Sequence, residues 1–188
     1  MRTKITFLFL VVAIALVFAI FKKDFFSYQS NQNNSEIEGK EFSKKDILGY
    51  LYSQELLSYE EKPLVIDRKL LDSADVINIH FWASWCAPCV NEVPELIEFA
   101  KRVSLKNEKN LKVLFLTVSL DEDSEELNKF LKSFPEFNKN PFIRIWDKNK
   151  SFSKLVNADR LPMTIILNKN IPEPRVVRGV VEWKSINF

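Results

Sequence analysis

Three kinds of residue are scarce in this chain of 188 residues, and each scarcity excludes a class of site. The three glycines are too few for a glycine-rich loop that binds phosphate. One histidine and two cysteines cannot complete the four-ligand set of a structural zinc site. An excess of one charge is also absent, because 27 Lys and Arg residues face 25 Asp and Glu residues. We therefore expect no nucleic-acid partner, which would require a dense basic stripe.

The two cysteines, Cys86 and Cys89, lie two residues apart, directly after the apolar run 76–81. Such a pair at a strand-to-helix junction can open and close a disulfide. Because the chain has no other cysteine, its exchange partner must be another protein's thiols. We expect Cys86 to attack, since the unpaired N–H groups and the dipole of a helix N-terminus favour its thiolate. Cys89, one turn further in and more buried, would resolve the mixed disulfide.

The first 23 residues predict a membrane anchor. Positive charge at Arg2 and Lys4 precedes an apolar run over residues 5–21, and two lysines end that run. At about 1.5 Å of rise per residue, the run approaches the roughly 30 Å hydrocarbon thickness of a bilayer. A cleaved signal peptide is the alternative, but no clean small-x-small site follows. We predict an uncleaved, single-pass signal anchor in the cell inner membrane, with the remainder in the periplasm or cell exterior.

The remainder divides into a linker and one domain. Residues 24–42 are rich in Ser, Asn and Gln and predict a flexible linker. Residues 43–188 alternate strand and helix patterns, which predicts an α/β domain with a central mixed sheet flanked by helices. Helices are predicted over 43–57, from Cys86 onward, over 123–133 behind an acidic cap at 121–123, and over 152–156. Strands are predicted over 64–66, 76–83, 111–118, 142–146, 163–167 and 176–183, the last two as an antiparallel pair.

The stretch Trp82-Ala83-Ser84-Trp85-Cys86-Ala87-Pro88-Cys89 is followed by Glu92 and Pro94, and later by Leu161-Pro162-Met163-Thr164. This combination resembles the membrane-anchored TlpA/ResA-like thiol-disulfide oxidoreductases of the thioredoxin superfamily, over roughly residues 64–183. The resemblance implies a thioredoxin-like fold that uses neither a cofactor nor a metal.

The resemblance also implies a substrate-binding rim around the cysteines. Pro162 matches a proline that is cis in the family and lies beside the thiols, and the residue before it, Leu161, offers its backbone to an extended substrate strand. Trp85 and Pro88 complete the predicted contacts, with Trp85 as an exposed lip. An ordinary loop proline is the alternative for Pro162, because cis is the minority isomer of X–Pro bonds.

Two ionisable residues are candidates for proton transfer. Glu92, three residues after Cys89 on the same helix, matches a family glutamate; buried, it would have a raised pKa and take the proton of Cys89. The alternative is a solvated helix glutamate. His80 lies six residues before Cys86, where classical thioredoxins carry an aspartate. It either relays a proton or is a buried histidine satisfied by backbone, and the sequence leaves both open.

The C-terminus departs from the family pattern, because only five residues follow Trp183. The closing helix of a thioredoxin-like domain is therefore predicted to be missing or stunted. The apolar segment 47–57 is a candidate to cover part of the surface left exposed.

The predicted function is a protein-disulfide reductase that acts on exported proteins. The resemblance implies cytochrome c maturation or metal-site assembly as its process, and a membrane thiol-electron donor as its source of electrons. The alternative is a Cu(I) metallochaperone that uses the same cysteine pair, because soft thiolates select that ion. Peroxide reduction by one reactive cysteine is a weaker reading, since nothing resembles a peroxidase signature.

Overall fold

The computed structural model describes residues 42–53, 56–105, 111–139 and 141–186, all within one compact unit of residues 41–188. The predicted anchor, 1–23, lies outside the described residues, as does the predicted linker apart from Phe42. No helix in the described ranges has the length and apolar character needed to cross a membrane.

A seven-stranded mixed sheet forms the centre of the domain, in the order β2-β1-β5-β4-β3-β6-β7. Strands β3, β4 and β5 are mutually parallel, and the outer strands pair antiparallel. The strands are β1 Leu56–Leu57, β2 Pro63–Leu64, β3 Val76–Trp82, β4 Val113–Ser119, β5 Phe142–Trp146, β6 Met163–Asn168 and β7 Arg175–Arg178. The helices are α1 Lys44–Ser53, α2 Arg68–Asp72, α3 Ala87–Leu105, α4 Ser124–Ser133 and α5 Ser151–Leu155, with 3₁₀ turns at Pro135–Asn138 and Trp183–Ser185. The mixed α/β architecture predicted from the sequence is confirmed.

Strand β3 is buried along its whole length, as its nearly continuous apolar sequence predicts. Alternate side chains of a strand point to opposite faces of the sheet. On one face His80 lies against Trp183 (ring centroids 5.9 Å apart), and we call this the α3 face because α3 covers it. On the other face Phe81 packs against Phe152 of α5 at 5.1 Å. We call this the α5 face.

Helix α3 carries the cysteines into the core. Its buried stripe recurs at helical spacing and consists of Cys89, Glu92, Val93, Leu96, Ile97, Phe99 and Ala100. The helix continues through Pro94 to Leu105. Its buried face therefore holds the second cysteine and the candidate glutamate side by side.

Two predicted element boundaries are wrong for local reasons. Helix α1 ends at Ser53 rather than continuing to residue 57, because Leu56 and Leu57 pair with β2 in a hairpin that bonds Ser58 to Lys62. The final strand stops at Arg178 rather than Trp183. There Gly179 takes a φ of 103°, which glycine adopts readily, and donates its N–H to the carbonyl of Pro162.

Smaller departures follow the same pattern. The strand predicted over 64–66 is Pro63–Leu64, and Val65 is 83% exposed. Helix α2 and the 3₁₀ turn at Pro135–Asn138 were not predicted, because both are too short to show a helical period.

Among the described residues after β7, the structure has one 3₁₀ turn and no α-helix. Trp183 in that turn is fully buried and packs against Phe99 of α3, with ring centroids 5.3 Å apart. Arg102 holds the turn by donating to the Trp183 carbonyl at 3.1 Å. The suggestion that segment 47–57 covers this surface is wrong, since Tyr50 of α1 stacks on Phe152, on the α5 face.

Candidate functional site

The cysteine pair lies where β3 passes into α3. A turn over residues 83–86 joins the two elements and is closed by the Cys86 N–H donating to the Ala83 carbonyl at 3.1 Å. Cys86 directly precedes the first residue of α3 and occupies the helix cap position. Its sulfur accepts the N–H of Cys89 at 3.3 Å, and its carbonyl accepts the N–H of Val90. An N–H that bonds this sulfur would stabilise a thiolate in the same place.

Cys86 and Cys89 form a disulfide, with an S–S distance of 2.02 Å. The two residues differ in access, because Cys86 is 6% exposed and Cys89 is 0% exposed. A partner protein can therefore reach only Cys86. This asymmetry is the one that a division into attacking and resolving cysteine requires.

The predicted rim residues lie around this junction. Trp85 is 63% exposed and Pro88 is exposed, whereas Leu161 is half-buried and Pro162 is buried. The Leu161–Pro162 bond is cis, as the resemblance implied. Phe81 of β3 pairs with Met163 of β6, so the loop just before β6 lies at the end of β3 where the cysteine turn begins. The carbonyl of Pro162 accepts the N–H of Gly179 at 2.8 Å. The substrate-binding roles of Leu161, Pro162, Trp85 and Pro88 stay predictions.

Glu92 and His80 are neighbours beneath the helix. Glu92 Oε1 lies 3.2 Å from His80 Nε2, and both side chains are at least 98% buried. Neither of these two atoms makes a hydrogen bond of good geometry. Glu92 Oε2 accepts the backbone N–H of Val181 at 2.9 Å, and His80 Nδ1 lies 3.0 Å from the hydroxyl of Thr164.

Burial moves the two pKa values in opposite directions, toward the neutral forms. It raises the pKa of Glu92 to about 7, against a smaller lowering by the Val181 N–H and the Trp183 indole. It lowers the pKa of His80 to about 3. Near neutral pH, His80 is therefore neutral, with Nδ1 sharing a hydrogen bond with the Thr164 hydroxyl, and it lies beside a Glu92 carboxyl that can take and release a proton. The pair then holds one carboxyl proton close to neutral pH.

These positions resolve part of what the sequence left open. Glu92 is not a solvated helix glutamate, and the expected burial and raised pKa are confirmed. The reading of His80 as satisfied by backbone is wrong, because its side-chain neighbours are Thr164 and Glu92. The proton-transfer roles of both residues stay predictions.

Sequence reasoning missed Asp121. The acidic run 121–123 was interpreted as a helix cap, but the cap of α4 is Asp123 alone, which accepts the Glu125 N–H at 2.8 Å. Asp121 is instead 1% exposed and bonds Ser84 in the cysteine turn. A signal existed, because Asp121 comes two residues after a parallel strand, at the sheet edge where β3 also ends.

Over the ranges that the structure describes, no group of three or more His, Cys, Asp or Glu side chains is placed to hold a metal ion.

Comparison with known proteins agrees with this fold. The thioredoxin-like family matches residues 74–171. The chain is 29% identical over 91 residues to sporulation thiol-disulfide oxidoreductase A of Bacillus subtilis (strain 168), covering 48% of this chain and 52% of that protein. It is 25% identical over 111 residues to thiol-disulfide oxidoreductase ResA of Geobacillus kaustophilus (strain HTA426), covering 57% of each. The chain thus spans little more than half the length of these relatives.

A solved structure of MTB dsbF, in mixed oxidised and reduced forms, aligns with a TM-score of 0.56 and 18% identity. The alignment covers 71% of this chain and 90% of that one. At this identity the likeness shows the fold.

Proposed function

This chain belongs to the thioredoxin-like family, and we propose that it is a thiol-disulfide oxidoreductase that reduces disulfides in exported proteins through Cys86 and Cys89. The observation that carries the proposal is the disulfide at the start of α3, in which only Cys86 has exposed surface. The two relatives named as thiol-disulfide oxidoreductases support the enzyme class predicted from the sequence.

The reaction begins from the reduced pair. The Cys86 thiolate attacks one sulfur of a partner disulfide, and the other partner sulfur leaves as a thiolate that takes a proton from solvent. Cys89 then loses its proton and attacks the Cys86 sulfur, which releases the partner's second thiolate. Two electrons pass to the partner, and the Cys86–Cys89 disulfide is left. A dithiol donor protein must reduce this disulfide before another cycle.

Glu92 is the proposed acceptor of the Cys89 proton. The two residues are three apart on one helix, so their side chains are neighbours on its buried stripe. A pKa of about 7 lets Glu92 take a proton near neutral pH and release it again. The proton-relay role predicted for His80 is not part of this proposal, because burial lowers the pKa of His80 to about 3 and the imidazole would not hold that proton near neutral pH. We propose that His80 is the neutral neighbour of the Glu92 carboxyl.

The setting of the reaction is proposed from the sequence. Residues 1–23 would anchor the chain in the inner membrane, the domain would lie in the periplasm or cell exterior, and the donor would be a membrane thiol protein. Cytochrome c maturation or metal-site assembly would be the process served. A reporter fused after Phe188 that matures only in the cytoplasm would contradict this location.

A trapping experiment tests the reaction. In Cys89→Ala the resolving thiol is absent, so mixed disulfides with client proteins should accumulate through Cys86 and identify the clients after non-reducing separation. Cys86→Ala is the matched control and should trap nothing, since the exposed thiol is gone. Equal trapping by both variants, or by neither when an oxidised client is supplied, would overturn the proposal.

A further inference from the structure

We propose that Asp121 is a positioning residue, whose buried carboxylate clamps the cysteine turn through Ser84 and so fixes how Cys86 and Trp85 meet a protein disulfide. The inference deepens the proposed function and rests on it. Asp121 acts on Cys86 through the turn, by way of its bonds to Ser84.

The clamp consists of short hydrogen bonds into one carboxylate. The Ser84 hydroxyl donates to Asp121 Oδ1 at 2.6 Å, and the Ser84 N–H donates to Oδ1 at 2.9 Å and to Oδ2 at 3.2 Å. The Ser119 hydroxyl donates to Oδ2 at 2.7 Å. Ser84 and Asp121 are 37 residues apart in sequence, so these bonds tie the cysteine turn to the segment after β4.

The carboxylate itself is held on a rigid base. The backbone N–H of Asp121 donates to the Ser119 hydroxyl at 3.1 Å, and the backbone carbonyl of Asp121 accepts the indole N–H of Trp146 at 2.7 Å. Ser119 and Trp146 are the last residues of β4 and β5. Asp121 thereby attaches the cysteine turn to the ends of two central strands, β4 and β5.

Burial makes these bonds matter energetically. Asp121 is 1% exposed, and among the described residues no Lys, Arg or His nitrogen lies within 4.0 Å of its carboxylate. The nearby ammonium of Lys150 donates instead to the Leu120 carbonyl. A buried charge without a cation depends on its hydrogen-bond donors, and most of the contacts here come from Ser84.

The consequence for the turn follows from its geometry. Ser84 is the second residue of the turn over 83–86, and Asp121 draws it toward the interior. The next residue, Trp85, then projects outward at 63% exposure, and Cys86 reaches the cap of α3. Without the clamp the turn can move, and attack on a large partner requires reacting atoms held in a narrow geometry.

The chain offers a matched control in Asp147. It is 4% exposed, follows the neighbouring strand β5, and accepts the N–H groups of Phe152 and Ser153 at 3.1 and 2.7 Å. Its carboxylate bonds the first turn of α5, and no hydrogen bond joins it to the cysteine turn among the described residues. Asp147→Asn therefore removes a comparably buried charge at the same sheet edge without releasing the turn.

The test compares two substrates and two variants. The reaction rates of the reduced proteins with insulin and with iodoacetamide are measured from pH 5 to 10, for wild type, Asp121→Asn and Asp147→Asn. The rate at which each pH profile levels off, called the plateau, reports fully ionised Cys86. Asp121→Asn should lower the insulin plateau about ten-fold and the iodoacetamide plateau less than about two-fold, because only the protein disulfide requires an oriented turn. Asp147→Asn should leave both plateaus unchanged. If Asp121→Asn lost ten-fold with both substrates, or lost rate with neither, the proposed positioning role of Asp121 would be overturned.

A second, milder variant keeps the test informative if Asp121→Asn does not fold. Ser84→Ala removes the 2.6 Å bond only, and should lower the insulin plateau in the same direction but less. If the bond is the means of action, the double variant should lose no more than Asp121→Asn alone. Additive losses, or an unchanged plateau in Ser84→Ala, would contradict it.

A structural readout separates failure of the clamp from failure of the proposed function. Hydrogen exchange of the Ser84 amide should speed at least about ten-fold in Asp121→Asn and not in Asp147→Asn, whatever the chain's activity. If wild type reduces no protein disulfide, the proposed function fails. If exchange at Ser84 is unchanged in Asp121→Asn, the clamp fails.

Discussion

The two faces of strand β3 differ in what they bury. The α5 face presents Ile77, Ile79 and Phe81, which are apolar. The α3 face presents Asn78, His80 and Trp82, and its packing leaves several buried polar atoms without a hydrogen bond. Those atoms are Asn78 Nδ2, His80 Nε2, Glu92 Oε1 and Thr117 Oγ1.

The two faces of β3 therefore contribute differently to the stability of the domain. A buried polar atom without a partner costs stability, whereas an apolar side chain in the same place contributes it. The face that bears this cost is the one covered by α3, the helix that begins directly after Cys86 and contains Cys89. The α5 face therefore contributes stability, and the α3 face holds the residues to which proton transfer is proposed.

The largest expected effect comes from the α5 face. Phe81→Ala removes a fully buried ring that packs on Phe152, and should lower the free energy of unfolding by about 3–5 kcal/mol. The rate of Cys86 with iodoacetamide, measured where the variant is folded, should stay near wild type. Denaturant unfolding of the oxidised protein measures the first quantity.

Asn78→Leu is the matched change on the α3 face. The amide nitrogen of Asn78 has no hydrogen-bond partner, and leucine is an apolar side chain of similar size. The substitution should therefore leave the free energy of unfolding unchanged or raise it. A loss as large as that of Phe81→Ala would break the contrast between the faces.

The second effect is kinetic. Glu92→Gln removes the proposed proton acceptor and should slow resolution of the mixed disulfide about 100-fold at pH 7. The rise in rate near the Glu92 pKa of about 7 should disappear. Rapid quench of a preformed mixed disulfide measures the resolving step.

Glu95→Gln is the control, since Glu95 lies on the same helix and pairs with Lys184 at the surface. It should resolve at the wild-type rate. An unaltered pH profile in Glu92→Gln would refute the proton role.

The smallest net effect is on the pH dependence of wild-type stability, because the contributions of Glu92 and His80 have opposite signs and partly offset each other. Between pH 4.5 and about 7, folded Glu92 keeps a proton that the unfolded chain releases, so rising pH favours unfolding. Between about pH 3 and 6.5, unfolded His80 binds a proton that the folded protein excludes, so falling pH favours unfolding.

Urea unfolding of the disulfide form, in which the cysteines do not titrate, measures both trends. The stability of Glu92→Gln relative to wild type should increase as pH rises from 4.5 to 7. That of His80→Gln should increase as pH falls from 6.5 to 3. Curves parallel to wild type would show that neither group titrates as assigned.

The elements that could be predicted from the sequence are those with a long, regular hydrophobic pattern. Contacts between segments distant in sequence could not be predicted. Strand β3 and helix α3 carry long patterns, so their positions and the cysteine junction were predictable. The cis bond before Pro162 was predictable only through the family resemblance, since sequence does not report the isomer.

The His80–Glu92 contact was hidden because it joins a strand to a helix across the core, and neither pattern fixes which side chains meet there. Asp121 was hidden by its neighbours, since an acidic run before a helix has an ordinary explanation. The burial of Trp183 could not be foreseen, because it depends on where Gly179 turns the chain.

The outer strands of the sheet carry a further consequence. Strand β2 is two residues long and begins with Pro63, which has no N–H to offer, and β7 has Arg175 and Arg178 at its ends. Short, proline-bearing or charged margins discourage foreign strands from adding to a sheet. Under the proposed function the domain would meet partly folded proteins, and these margins would hinder strands of those proteins from adding to its sheet.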